Sequence, residues 1–386
     1  MGDTYPYLAL AIELQRCGHR PVLGLPPYFA PLAARHGIEF VPVGPDLNTY
    51  LRDVTEAIVE APEVVGSEER LHQLFEPLRG ALPRMLDDLM ALCRDADVLV
   101  CGRMQPAGHM VHELTGIPFV SVQVEHSGGS TPAVQSVARD AINPVRTRLG
   151  LPALHDPLVG DAISPQLALY ALSRHICPPP RGWPAHHHIV GFFYVNQDNW
   201  QPDPALAEFV ASGEPPVVIS FSSIAHGDPL AMTELLVQAV ELAGCRAIIQ
   251  QGWSNLGGLR LPPHIHVTGF APHSWLFARA AAVVHHAGAG TSGAVMRAGV
   301  PGVYVPHMWD QPTWAELAES LGCAGPMIPF SELTAERLGA AIRATLVNPR
   351  YAQAAAELGE KIRQEQGVVK ARQLIEQLVD RLGLEA

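Results

Sequence analysis

The chain has 386 residues, enough for two or three domains with sizeable cores. Hydrophobic residues make up 48% and charged residues only 17%, against about 25% in average globular chains, which excludes a disordered polypeptide. With 38 acidic and 26 basic residues the net charge is −12, and no long basic run occurs, so a nucleic-acid-binding surface is not expected.

Leu8, Ile12 and the run from Leu14 to Cys17 carry the apolar face of a first helix, closed by Gly18 and His19. A strand follows at Pro21 to Leu25, a helix over 28–36 ending at Gly37, and a strand from Ile38 to Val43. Ala96 to Cys101 (ADVLVC) is a short buried strand, Ala107 to Leu114 a helix ending at Gly116, and Pro118 to Val124 another strand. This alternation predicts α/β architecture with a parallel, doubly wound sheet. Residues 126 to 190 are rich in Pro and His and carry no clear periodicity.

Near residue 200 the composition turns to linker chemistry, with WQPDP at 200–204 and GEPP at 213–216. Beyond it the alternation restarts: strand 217–221, helix 229–243, strands 246–250, 265–268 and 282–285, helix 291–298 and strand 302–305. A second doubly wound domain is predicted, facing the first across a cleft where ligands of open α/β sheets bind. Residues 351–383 have long helical periodicity and are expected to pack over one or both domains.

The six cysteines, Cys17, Cys93, Cys101, Cys177, Cys245 and Cys323, form no CxxC pair and read as reduced thiols. No run approaches the roughly 18 apolar residues of a membrane span, and the N-terminus lacks a basic region followed by an apolar stretch. A cytoplasmic protein without membrane insertion is expected. Three adjacent histidines, His186 to His188, cannot all face one ion in regular geometry, so no metal site is expected. Trp183, Trp275 and Trp314 read as core or interface residues, and His285 as a packed strand-end histidine.

The densest chemical signal is VVHHAGAGTS at 283–292, an apolar strand running into a glycine-rich turn and then a helix. Gly288 and Gly290 permit close approach of the backbone, and the helix end with Thr291 and Ser292 suits a diphosphate, with His286 adding a donor. The spacing alone also fits a turn that merely connects strand to helix. VPHMWDQP at 305–312 sets a carboxylate, Asp310, beside an amide, Gln311, as sugar hydroxyls require. VTGFAPH at 267–273 ends a strand with an aromatic placed to stack on a base, and SFSS at 220–223 ends another with hydroxyls.

Taken in order, GF-APHSWLF, HHAGAGTS, RAGVP and WDQP between His264 and Gly325 resemble the nucleotide-sugar-binding half of family 1 glycosyltransferases with the GT-B fold. The likeness is greatest to the bacterial branch that decorates antibiotics and other natural products and to sterol glucosyltransferases, and it extends more weakly over nearly the whole chain. WQPDP resembles that branch's interdomain linker.

The resemblance implies four parts: residues 1–194 as an acceptor-binding Rossmann-like domain, 195–216 as linker, 217–350 as the nucleotide-sugar-binding domain, and 351–386 as a C-terminal helical segment. It implies that His286 contacts the α-phosphate, that Ser223, Gly288, Gly290 and Thr291 surround the diphosphate, and that Phe270 stacks on the base with Ala271 and His273 beside it. Asp310 and Gln311 would bind the donor sugar. Plant members carry a glutamate for the ribose where Ala294 stands, which leaves UDP and TDP both open as nucleotide.

In the other half, GDTYP at 2–6 resembles the family's loop after the first strand, which implies Asp3 as general base in an inverting, metal-free and cofactor-free transfer. Taken alone, Asp3 reads as a solvated charge or a helix N-cap. His126 and Ser127 are candidates for the acceptor pocket. The family's usual first apolar strand has no counterpart before Gly2, so Met1 is expected to be an internal methionine of a chain about a dozen residues longer. The expected partners are a UDP- or TDP-sugar and a small, largely apolar acceptor. A nucleotide-sugar epimerase of the same architecture, or a donor-binding homologue without turnover, are the alternatives.

Overall fold

A computed structural model of the chain describes residues 4–46, 53, 56, 68–102, 105–124, 132–158, 160–197, 199–222, 224 and 226–383. The chain divides into two compact units, one built on Asn196–Glu365, the other on Asp3–Val54, Ala61–Val195 and Gln366–Ala386.

In the N-terminal unit, α1 (Tyr5–Arg16) leads to β1 (Val22–Leu25), α2 (Ala30–Arg35) and β2 (Glu39–Pro42), and β1 and β2 pair in parallel. Then come α3 (Glu68–Leu92), β3 (Leu99–Gly102), α4 (Pro106–Thr115), β4 (Phe119–Gln123), α5 (Pro132–Arg148), β5 (Leu167–Tyr170) and β6 (His187–Ile189). Strands β3 to β6 form one parallel sheet in sequence order. Alternate residues bury opposite faces: Leu99, Cys101 and Phe119 join Leu86, Leu89, Met110 and Ile142 of the helices, whereas Val120 and Val122 join Ala9 and Leu10. Helices on both faces make the sheet doubly wound.

Several elements here depart from the sequence expectation. The unassigned stretch 126–190 contains α5, β5 and β6, and the long helix α3 was not expected. Pro77 and Pro83 inside α3, and Pro144 inside α5, read as helix breakers but lie on exposed sides. The opposite faces bury Leu82, Leu86 and Leu89 on α3 and Val137, Ile142 and Val145 on α5, and that packing outweighs the local propensity. The triple histidine enters β6, where the Tyr170 hydroxyl meets His187 Nδ1 at 3.1 Å.

The C-terminal unit opens with α6 (Pro204–Ala211) inside the stretch expected as plain linker. The Asp-Pro pair that reads as turn chemistry is a helix start: Asp203 Oδ1 accepts from Leu206 N at 2.9 Å, Pro204 fills the first turn, and Leu206 is buried in the core. The order then runs β7 (Val217–Ser220), α7 (Pro229–Ala243), β8 (Ala247–Gln250), β9 (Ile265–Thr268), a single-turn α8 (His273–Leu276) and β10 (Ala282–His285). It continues with α9 (Ala289–Ala298), β11 (Gly302–Tyr304), α10 (Gln311–Ser320), α11 (Ala335–Val347) and α12 (Pro349–Arg363).

All five strands are parallel, in the order β11-β10-β7-β8-β9. Every residue of β7, β8, β10 and β11 is buried, as strands covered on both faces require. The strand order reverses between β7 and β10, and a ligand site is expected at the carboxyl ends of those two strands.

The expected single C-terminal helical run is two helices. After α12, the chain breaks at residues 364–366, and α13 (Gly367–Arg381) packs on the N-terminal unit, where Ile375 and Leu378 join Val120 and Leu169. Gly367 permits that return, because a Cβ there would sit 2.4 Å from the Phe192 carbonyl oxygen. Arg372 Nε reaches Glu13 at 3.3 Å, and His19 Nε2 lies 2.9 Å from Glu376.

Candidate active site

The turn from β10 into α9 carries the site's central group. His285 ends the strand fully buried, with its ring 4.2 Å from that of Tyr304. Its Nδ1 accepts the Ala287 amide at 3.2 Å, which fixes the proton on Nε2. Ala287 holds φ of 65°, a left-handed conformation that an L-residue adopts at a cost of roughly 1–3 kcal/mol. That sharp turn brings His286 over Gly288, the N-cap of α9. A Cβ at Gly288 would fall against His286 Nε2, so a side chain there would displace the imidazole. Among the described residues, and apart from its chain neighbours and its own helix backbone, nothing lies within 4 Å of the equivalent point at Gly290, which leaves space there for a ligand.

His286 is 6% exposed, and burial, reinforced by nearby His273, pushes its pKa down to about 3. The ring is therefore neutral at physiological pH. Its buried Nδ1 and the buried Ser292 hydroxyl have no hydrogen-bond partner within the geometric limits among the described residues. The first amides of α9, which have no carbonyl one turn earlier to bond, lie in the same turn. A helix N-terminus with free amides and a neutral imidazole lying over Gly288 are groups that suit an anion.

Neighbouring strand ends complete the edge. The Ser220 hydroxyl donates to Gln250 Oε1 at 2.7 Å, and Gln250 Nε2 donates to the Ala271 carbonyl at 2.9 Å. This chain of side-chain bonds ties the ends of β7 and β8 to the loop after β9. Ala271 is 1% exposed, whereas its neighbour Phe270 is 59% exposed and presents its ring to solvent. His273 stacks on Phe277 with centroids 4.3 Å apart, and burial lowers its pKa to about 4.

After β11 the chain makes a second tight turn. Gln311 Oε1 accepts from the amides of His307 at 2.7 Å and Met308 at 3.0 Å, while Trp309 takes φ of 56°. Asp310 Oδ2 accepts from Nε1 of the fully buried Trp314 at 2.8 Å. The carboxylate and the amide are held by their own turn, and Gln311 Nε2 remains as a donor for a ligand hydroxyl.

Phe270, Ala271, His273, His286, Gly288, Gly290, Thr291, Asp310 and Gln311 thus gather at one edge of one sheet. Ser223, and in the N-terminal unit Asp3, His126 and Ser127, lie outside the described residues. Sequence reasoning missed Gln250; its one signal is a glutamine closing the otherwise apolar strand AIIQ. Burial pushes the Cys101 thiol up to about 12 and the Cys323 thiol up to about 11, so neither supplies a thiolate. Among the described residues, no group of three or more His, Cys, Asp or Glu is arranged to hold a metal ion.

Two doubly wound parallel units, with a glycine-rich strand-to-helix turn at the strand-order reversal of the second, define the GT-B class of α/β protein. The family model described as "Erythromycin biosynthesis protein CIII-like, C-terminal domain" matches residues 234–372. O-mycaminosyltylonolide 6-deoxyallosyltransferase of Streptomyces fradiae is 31% identical over 97% of this chain and 94% of that protein. A sterol 3-beta-glucosyltransferase of Neosartorya fischeri is also 31% identical over 97% of this chain, which spans 28% of that relative's length. The crystal structure of the glycotransferase of kitacinnamycin superimposes with a TM-score of 0.75 at 22% identity, covering 97% of this chain and 95% of that one. The chain belongs to the family 1 glycosyltransferases.

Proposed function

We propose that the protein transfers a sugar from a UDP- or TDP-sugar to a hydroxyl of a small, largely apolar acceptor, in the cytoplasm, with inversion and without a metal ion or resident cofactor. The observation that carries this reading is the β10–α9 turn, where neutral, buried His286 lies over Gly288 beside the open amides of α9. The diphosphate binds there, with Thr291 and Ser223 alongside, Phe270 stacks on the base, and Asp310 and Gln311 hold the sugar. The N-terminal unit receives the acceptor, near His126 and Ser127.

Asp3 takes the acceptor's hydroxyl proton as that oxygen forms a bond to the anomeric carbon. The bond from that carbon to the diphosphate oxygen breaks, and the N–H groups of α9 and His286 stabilise the charge that develops on the leaving group. One displacement inverts the anomeric centre. The test is transfer from UDP-glucose and TDP-glucose to a panel of hydroxylated polycyclic and macrocyclic acceptors, with the product anomer assigned by NMR. An inverted glycoside is expected, and Asp3→Asn is expected to bind donor without transferring it. Donor binding and turnover at wild-type levels in His286→Ala and Asp310→Ala would refute the reading.

A further inference from the structure

Beneath the donor edge of the C-terminal unit two buried histidines from different loops meet. His226, between β7 and α7, is 7% exposed; His307, between β11 and α10, is 8% exposed; and their Nε2 atoms are 3.1 Å apart. His307 stacks on Phe330 at 4.1 Å, and the His226 ring packs 5.4 Å from Phe221. His226 Nδ1 lies 2.6 Å from Ser254 Oγ, in the loop between β8 and β9, and the His226 amide donates to the same oxygen at 3.0 Å.

Lone-pair chemistry orders the protons. His307 Nδ1 is 2.8 Å from the Val305 carbonyl, which only accepts, so His307 carries its proton on Nδ1 and its Nε2 is bare. Burial holds both rings neutral, so each has one proton. For the imidazoles to bond, the single proton of His226 must sit on Nε2; on Nδ1 it would leave two bare nitrogens facing each other. The bare Nδ1 of His226 must then accept from the Ser254 hydroxyl, which gives up the Ile224 carbonyl 2.9 Å away. The result is a one-way chain from Ser254 to His226 to His307 to the Val305 carbonyl.

We propose that His226 and His307 are positioning residues of the donor site, whose imidazole–imidazole bond locks the β7–α7 loop at His226 onto the β11–α10 turn bearing Asp310 and Gln311. The same turn is pinned from its other side by Gln311 Oε1 on the His307 amide, so the orientation of the His307 ring and of the sugar-binding pair is set together. The pair touches no substrate atom. Its effect is on where the groups named above for diphosphate and sugar stand, and in that sense it rests on the proposed transfer.

The test compares His226→Phe with His226→Gln, using UDP-glucose and TDP-glucose. Glutamine places an N–H where His226 Nε2 stands, and phenylalanine places none. His226→Phe is expected to raise the donor KM about tenfold with the acceptor KM unchanged, and His226→Gln to recover most of that loss. Equal losses in both variants would overturn the proposal. In parallel, nitrogen-15 spectra of the histidine rings in the wild-type free protein, assigned with His226→Gln and His307→Phe, are expected to show the proton on Nε2 of His226 and on Nδ1 of His307. A proton on Nδ1 of His226 would overturn the lock independently of any substrate. If wild-type protein turns over neither nucleotide sugar, the transfer reading fails and the positioning role fails with it, while the ring spectra still decide whether the lock exists.

Discussion

A histidine at a diphosphate site is usually pictured as a cation, but His286, in the turn proposed for the diphosphate, is neutral. Burial keeps its pKa near 3, so what it offers is one N–H in a dry turn and not a charge. Phe270 is the opposite kind of residue, a 59% exposed ring with no core to fill, whose position suits a base stacked on it. Replacing it by alanine is expected to weaken nucleotide binding by about 1–3 kcal/mol, roughly ten- to a hundredfold in Kd, without changing the melting temperature. Calorimetric titration of Phe270→Ala with UDP or TDP checks this, and unchanged affinity would remove the stacking role. His286 and Phe270 stand in motifs legible in the sequence. Gln250 does not, because its role arises only when the register sets Ser220 opposite it and the β9 loop folds back over its amide.

At the scale of elements, the β10–α9 connection works because two backbone features coincide. Ala287 turns the chain sharply, and Gly288 leaves room for the imidazole that turn delivers. Gly288→Ala is backbone-compatible, since Gly288 has φ of −63° and ψ of 146°, but its Cβ would displace His286 Nε2. The expected outcome is a folded protein, by circular dichroism and melting, with donor affinity reduced at least tenfold. Wild-type affinity would mean that His286 does not need its place over the turn. The strands and helices of this unit were legible because apolar runs alternate with helical periodicity and glycine stops. α3 and α5 were not, because Pro77, Pro83 and Pro144 signal breaks that only the solvent-facing placement of those prolines makes tolerable. Likewise Asp203-Pro204 is ambiguous between turn and helix start until Leu206 finds a core to enter.

At the scale of the molecule, burying several neutral histidines in one unit has a consequence for acid stability. His226, His285, His286 and His307 are each less than 9% exposed and have folded pKa values below the usual 6.5, near 4 for His226 and near 3 for His286. The unfolded chain takes up their protons near pH 6.5 and the folded chain does not, so unfolding consumes protons and stability falls as pH drops below about 6.5. By pH 5.5 the loss is on the order of 1 kcal/mol per group, shared by the four residues named. Denaturant unfolding of the C-terminal unit at pH 7.5 and 5.5 measures it, and equal stability at the two values would contradict it. Above pH 6.5 this contribution is complete.

The strand order that reverses between β7 and β10, the neutral histidine at that reversal and the paired Asp310 and Gln311 all converge on one claim, that the C-terminal unit binds the nucleotide of a sugar donor. The most direct measurement is calorimetric titration of the purified chain with UDP and with TDP, repeated on His286→Ala. Saturable binding of at least one nucleotide, lost in His286→Ala, is the predicted result. Binding of neither, or binding that His286→Ala leaves intact, would contradict it.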